Sequence, residues 1–153
     1  MKTATELNHV YEVYIRTTPD KLWQALTDGK SSRQYFYGGT LKSDWKVGSS
    51  MDLIDDTAGM TMLKNKILEI DPPRKLVHTL SAQLDEEHKK DRPSRVTWLI
   101  EPLGEVVKLT VTHDDFDGET VTQKSVKSGW GPVLSSLKTL LETGRPLQIP
   151  MQN

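Results

Sequence analysis

Two histidines, His78 and His113, are the residues of this chain best suited to catalysis or to polar contact with a ligand. Each falls on the apolar face of a predicted strand, His78 with Leu80 and His113 with Leu109. Because the pKa of an imidazole lies near neutrality, an inward histidine can act as an acid or a base. The alternative is a core histidine whose ring nitrogens bond to neighbouring backbone or hydroxyl groups. The sequence leaves both interpretations open.

Other catalytic motifs are absent from the sequence. It has no cysteine, no Gly-x-Ser-x-Gly nucleophile motif and no glycine-rich phosphate loop. Neither histidine has a second histidine at a metal-ligand spacing such as i, i+4, and we expect no metal and no cofactor. The acidic pair Asp114-Asp115 is typical of turns, where aspartate bonds to the local backbone. An enzyme is therefore the less favoured class, and the sequence leaves it open.

Methionine and aromatic side chains recur along the predicted strands and the last helix. Side chains of these types line adaptable apolar pockets, and ordinary core filling is the alternative for each of them. We predict a ligand cavity between the sheet and the last helix. Besides the two histidines, its expected lining residues are Tyr35, Tyr37, Met51, Leu53, Met60, Met62, Leu80, Trp98, Ile100, Val111, Trp130 and Leu134.

The composition is that of a globular protein, which we predict to be a single domain over residues 1–153. Hydrophobic residues make up 35% of the chain and charged residues 27%, and four tryptophans and four tyrosines supply a core. The net charge of −1 argues against a nucleic-acid-binding protein, which needs concentrated Lys and Arg. No apolar run approaches the roughly 18 residues of a membrane span. No signal-peptide pattern opens the chain, so we expect no membrane contact and a cytoplasmic location.

The elements that must position these side chains are mostly strands. β-Branched and aromatic residues, or their alternation with polar ones, predict strands over 9–17, 41–44, 50–55, 60–71, 75–84, 96–101 and 107–113. Thr18-Pro19-Asp20 is an N-cap signature for a helix that ends near Gly29, and a short helical turn follows over 31–35. Strands joined by short turns favour one antiparallel sheet.

The last predicted helix runs from about residue 120 to 143 and has one apolar face. Gly131-Pro132 interrupts this pattern, because proline lacks an amide hydrogen and clashes with the preceding turn. One kinked helix is favoured over two separate segments. At 1.5 Å per residue the helix would span roughly 36 Å, which suits a strongly curved sheet that wraps around it.

Several segments together resemble one family. They are VYEVYIRTTP (10–19), LWQALTD (22–28), DWKVGS (44–49), LEIDPPRKLVHT (68–79), SRVTW (94–98), and GW (129–130) through LKTLLETG (137–144). The family is the bacterial group similar to the C-terminal domain of the activator of the 90-kDa heat-shock chaperone ATPase. It belongs to the START and birch-pollen-allergen superfamily. The resemblance covers about residues 9–144 and implies an α+β helix-grip fold: a curved antiparallel sheet of about seven strands around a long C-terminal helix, with two short helices after the first strand.

Three functions remain open. The favoured one is a carrier for a small hydrophobic or amphipathic molecule, which the resemblance would place in a stress-response pathway. The second is a cochaperone-like module that contacts a chaperone through the outer face of the sheet or the charged segment 85–92, interpreted as part of a solvated loop over 85–93. The third is a cyclase- or hydrolase-like enzyme with His78 or His113 as acid–base. The ligand, and the choice between monomer and homodimer, are not determined by the sequence.

Overall fold

A computed structural model describes residues 2–150 of the chain. Its strands are β1 His9–Ile15, β2 Thr40–Ser43, β3 Ser50–Asp55, β4 Met60–Asp71, β5 Lys75–Ala82, β6 Ser94–Leu103 and β7 Val106–Asp114. They form one antiparallel seven-stranded sheet in the order β1-β7-β6-β5-β4-β3-β2. The predicted α+β helix-grip architecture is confirmed. The expected single domain over 1–153 includes residues 1 and 151–153, which lie outside the described part.

Five helices accompany the sheet within residues 2–150. They are α1 Ala4–Leu7, α2 Pro19–Thr27, α3 Gly29–Tyr35, α4 Glu86–Lys90 and α5 Val121–Thr143. Helices α2 and α3 are the two short helices predicted after the first strand. Helix α1 was not predicted. Helix α4 shows that the interpretation of 85–93 as a solvated loop is wrong over 86–90.

The helix ends follow from local hydrogen bonding. The Thr18 hydroxyl accepts from the backbone of the third residue of α2, and Pro19 occupies the first turn, where no amide partner is lost. Thr120 caps α5 in the same way. The helix ends at Gly144, whose φ of 80° is a left-handed conformation that glycine adopts without strain.

Helix α5 continues through Pro132, so the interpretation as two separate segments is wrong. Proline cannot donate to the carbonyl four residues earlier, and this weakens the ladder of helical hydrogen bonds there. The carbonyl that loses its partner is that of Ser128, and two tyrosine hydroxyls donate to the carbonyls of the residues on either side of it. Tyr11 bonds to the Lys127 oxygen at 2.8 Å and Tyr37 to the Gly129 oxygen at 2.6 Å. These bonds tie the turn before the proline to β1 and to the loop after α3.

The core lies between the concave face of the sheet and the apolar stripe of α5. Strand residues alternate between buried and exposed along β6 and β7, as a sheet with one buried face requires. The pairing register shifts in two places, after Leu53 and after Ile67. Irregularities of this kind bend and twist a strand. The bent sheet lets Val133, Leu134 and Leu137 of α5 be buried against it.

Candidate functional site

Eleven of the fourteen predicted cavity residues meet in the interior between the sheet and the helices. They are Tyr35, Met51, Leu53, His78, Leu80, Trp98, Ile100, Val111, His113, Trp130 and Leu134, and each is between 0% and 5% exposed. A void that holds even one water molecule exposes part of every side chain that borders it, whether or not it opens to solvent. These residues therefore pack against protein atoms and form the core in this conformation. Their role in a ligand cavity stays a prediction.

The other three predicted residues lie away from this centre. Tyr37 is exposed and bonds to the backbone of α5, as described above. Met60 is also exposed and lines an open cleft of about 530 Å³ together with Leu84 and Lys89. Met62 is half-buried and packs against the edge of the core. A second open cleft, of about 320 Å³, is lined by residues of α2, α3 and α5.

His78 on β5 and Trp98 on β6 form a buried pair. The indole Nε1–H of Trp98 donates to His78 Nε2 at 2.9 Å. His78 must therefore carry its proton on Nδ1, which lies 2.7 Å from the Thr79 carbonyl oxygen and donates to it. Both ring nitrogens of His78 are bonded within the protein.

His113 on β7 belongs to a second chain of buried hydrogen bonds. The indole Nε1–H of Trp130 on α5 donates to His113 Nδ1 at 3.0 Å. Nε2 then carries the proton and donates to the Ser94 hydroxyl at 2.7 Å, and that hydroxyl donates to the Leu80 carbonyl at 3.4 Å. The chain links α5 to three strands of the sheet. His113 has the opposite tautomer to His78, because its indole partner faces the other nitrogen.

The two histidine–tryptophan pairs are in contact through their indoles. The ring centroids of Trp98 and Trp130 are 5.3 Å apart in an edge-to-face arrangement, which the ring quadrupoles favour. Phe36 packs on the other side of Trp130, with centroids 6.1 Å apart. The ring of His113 packs against Phe116 at 4.6 Å. The pairs thus form one aromatic cluster that fills the space between α5 and the sheet.

Burial determines the charge of both histidines. It lowers the pKa of His78 from 6.5 to about 4, and the bond to the Thr79 carbonyl opposes this shift. Burial lowers the pKa of His113 from 6.5 to about 3, and the neighbouring His78 and His9 lower it further. Both imidazoles are neutral near pH 7. Each also has its lone pair bonded to an indole N–H, so neither is placed to take a proton from a substrate in this conformation.

The acidic residues at the end of β7 are paired with arginines. Arg95 donates to both carboxylate oxygens of Asp114 at 2.9 Å, and Arg92 donates to Asp115 at 3.3 Å. Across residues 2–150, no three His, Asp or Glu side chains are grouped so that they could hold a metal ion. Over the same residues, no helix is long and apolar enough to cross a membrane.

A third histidine, which the sequence analysis did not single out, forms a hydrogen-bonded row with two other residues. His88 of α4 lies between the Asp85 carboxylate, 2.7 Å from Nδ1, and the Ser125 hydroxyl of α5, 2.8 Å from Nε2. Asp85 directly precedes α4, and His88 follows it by three residues. This spacing is typical of a helix N-cap and could have indicated the contact between Asp85 and His88. Ser125 lies 37 positions further along, and no sequence signal indicates its contact with His88.

Comparisons with known structures reproduce the fold. The Aha1 dimer from Colwellia psychrerythraea is 20% identical, with a TM-score of 0.72 over 90% of this chain and 97% of that one. The protein MLL2253 from Mesorhizobium loti is 26% identical, with a TM-score of 0.71 over 88% and 96% of the two chains. PFC0360w from Plasmodium falciparum, described as an HSP90 activator, is 23% identical, with a TM-score of 0.71 over 88% and 95%.

A family model gives the sequence-level relationship. At the level of sequence, no curated protein matches the chain. The model for Activator of Hsp90 ATPase homolog 1-like protein matches residues 16–142, a span that runs from the end of β1 to the last turn of α5. The chain belongs to the family of Activator of Hsp90 ATPase homolog 1-like proteins.

Proposed function

We propose that this protein is a cochaperone-like interaction module that binds a 90-kDa heat-shock chaperone and raises its ATPase rate. The observation that carries this proposal is the filled interior. The eleven buried residues that would line a ligand cavity are at most 5% exposed, and the aromatic cluster occupies the space beneath α5. This close packing favours a function carried by the surface of the molecule.

The outer face of the sheet is the surface that we assign to the chaperone. One row of directly paired residues crosses three strands of this face, Val10, Thr112 and Thr97, and its continuation on β5, Val77, is buried. On the edge strand β1, Val10 is 59% exposed and Tyr14 is 50% exposed. Exposed apolar and aromatic side chains on the outer face of the sheet provide the contact area that protein interfaces use.

The charges around this row favour a protein partner over a polyanion. Lys108 lies 3.6 Å from Glu12, and Lys75 lies 3.3 Å from Glu69. These cross-strand ion pairs neutralise the face locally. Nucleic acids and anionic membranes bind surfaces with unpaired Lys and Arg, so they do not fit this pattern. A protein partner with a partly apolar contact surface does.

The comparisons support the choice of partner. The family is named for an activator of the Hsp90 ATPase, and PFC0360w is described as an HSP90 activator. The structure from Colwellia psychrerythraea is of an Aha1 dimer. Self-association of the present chain is therefore measured alongside chaperone binding.

The test is titration of the chain into a purified bacterial 90-kDa heat-shock chaperone. We expect a saturable rise in ATPase rate and a complex that sediments faster than either protein. Val10→Lys places a charge on the proposed contact face and should weaken binding about tenfold or more, which corresponds to about 1.4 kcal/mol. Val47→Lys is the matched control, because Val47 is 67% exposed in the turn between β2 and β3.

Three outcomes count against the proposal. If the ATPase rate is unchanged and no complex forms, the chaperone is not the partner. If Val10→Lys and Val47→Lys weaken binding equally, the outer face of the sheet is not the contact surface. The third is a small hydrophobic molecule retained in native mass spectrometry of protein purified from cells. That result favours the carrier function and requires the interior to open when occupied.

A further inference from the structure

The row formed by Asp85, His88 and Ser125 has the geometry of a serine nucleophile with its base. Asp85 caps α4, His88 lies within α4, and Ser125 lies near the start of α5. The two bonds to the imidazole are 2.7 and 2.8 Å long and use its two different nitrogens. Nothing in the proposed chaperone contact uses these residues.

The hydrogen bonds of Asp85 fix the tautomer of His88. The Asp85 carboxylate oxygen also accepts from the His88 backbone N–H at 2.9 Å, so its position is held by the helix itself. A carboxylate can only accept, and therefore Nδ1 of His88 carries the proton. The lone pair of Nε2 then faces the hydroxyl of Ser125, which donates to it. This is the arrangement in which an imidazole removes a proton from serine.

Burial differs along the row. His88 is only 6% exposed, whereas the side chain of Asp85 is 58% exposed. Ser125 is an exposed residue on the surface of α5, so a substrate can approach this end of the row. A histidine that served only to fill the contact between α4 and α5 would not need a solvent-facing serine as its partner.

We propose that Ser125 is a nucleophile for activated acyl esters, with His88 as its general base and Asp85 as the positioning residue. Ser125 Oγ attacks the ester carbonyl carbon while its proton passes to His88 Nε2. The bond to the leaving oxygen breaks, and the alcohol departs with that proton. Water then attacks the acyl-serine and gives a proton to His88 Nε2. The carboxylic acid leaves as Ser125 regains that proton.

General-base assistance of this kind accelerates a reaction by about 10²–10⁴-fold. The proposal assigns no further donors to the developing oxyanion, and such donors contribute another factor of about 10²–10³ each in dedicated hydrolases. The expected substrates are therefore activated esters such as p-nitrophenyl acetate. Amides, which are much less reactive than activated esters, are not expected to be hydrolysed.

The experiment uses a fluorophosphonate probe and p-nitrophenyl acetate on the full chain. The probe phosphorylates an activated serine with loss of fluoride, and peptide mapping locates the label. We expect label on Ser125 at least 100-fold faster than on Ser128, an exposed serine one turn further along α5. Ser125→Ala should abolish ester turnover, and Ser128→Ala should leave it unchanged.

Two further variants separate catalysis from structure. His88→Gln removes the base and should lower the labelling rate by at least 100-fold. Asp85→Asn keeps a good helix N-cap and removes the charge, so α4 should remain folded while labelling slows at least tenfold. Turnover by the unmodified chain should show a normal solvent deuterium isotope effect that His88→Gln eliminates.

The proposal is wrong if Ser125 and Ser128 label at the same rate, or if Asp85→Asn labels as fast as the unmodified chain. The first measurement uses the unmodified chain and the second a variant of the exposed Asp85, so neither depends on whether His88→Gln folds. A negative result would leave the row as a structural tie between α4 and α5. The chaperone assay is independent of either outcome.

Discussion

Acidification from pH 7.5 to pH 5 should destabilise the protein by about 4 kcal/mol through His78 and His113 together. Their folded pKa values of about 4 and about 3 lie below the ordinary value of 6.5. Below pH 6.5 the unfolded chain therefore binds more protons than the folded one. The stabilisation is fully present above pH 6.5 and is lost as the pH falls toward the folded pKa values. At pH 5 each histidine accounts for about 2 kcal/mol of this loss.

The assay is urea unfolding followed by tryptophan fluorescence at pH 7.5, 6.5, 5.5 and 5, with linear extrapolation to water. A loss of this size is a large fraction of the 5–15 kcal/mol typical of a domain. Carboxylates change the stability of the protein only at lower pH. The pKa values of Asp56, Asp85 and Glu142 are depressed by hydrogen bonds from ordinary values of 3.8, 3.8 and 4.5. Their contribution is lost only as the pH falls below those values, so measurements above pH 5 isolate the imidazoles.

His113→Met is the informative variant because it removes one titrating ring and keeps an apolar side chain in the core. Whatever the substitution costs at pH 7.5, the additional loss on going to pH 5 should shrink by about 2 kcal/mol, since one histidine no longer contributes. The reasoning is refuted if the unmodified protein loses less than about 1 kcal/mol over this range. It is equally refuted if His113→Met retains the full pH dependence.

Two other predictions concern geometry. Nitrogen-15 NMR of the imidazoles should show the proton on Nδ1 of His78 and on Nε2 of His113, and the same tautomer in both rings would contradict the assigned hydrogen bonds. Gly39→Ala should destabilise the chain by about 1–3 kcal/mol in urea, because its new Cβ would lie 2.5 Å from the Cγ of buried Leu53. The new Cβ of Gly131→Ala would have no neighbouring atom within 4 Å. Because Gly131 lies inside a helix, this substitution should stabilise the folded protein by about 0.5–1 kcal/mol. Equal effects of the two glycine substitutions would contradict this packing.

The regular elements could be predicted because local patterns determine them. Alternation along β6 and β7 reflects one buried face, and Thr18 with Pro19 marks the start of α2. Helix α4 was missed because five charged or polar residues carry no apolar periodicity. It is stabilised by the Asp85 cap and by the contact of His88 with α5, which is a tertiary interaction.

The burial of eleven of the predicted site residues could be predicted from the sequence, and their mutual arrangement could not. Burial of Trp98, Trp130 and His113 followed from their positions on strand and helix faces. Which indole bonds to which imidazole depends on the sheet register and on the rotation of α5, and neither can be read from spacing. Whether the same side chains enclose space or fill it depends on differences of an ångström in helix position. A one-dimensional pattern does not carry that information.

Pro132 has a consequence for how the molecule can change shape. One rung of the helical ladder is already missing there, so bending α5 at that turn breaks fewer bonds than bending it anywhere else. Trp130 lies two residues before Pro132. The Tyr11 and Tyr37 hydroxyls fix the carbonyls of Lys127 and Gly129 by hydrogen bonds. Any opening of the interior to a ligand would begin with loss of the hydrogen bonds from Tyr11 and Tyr37, followed by outward movement of the Trp130 indole. Within the interior of α5, away from its frayed ends, hydrogen exchange should be fastest around Pro132.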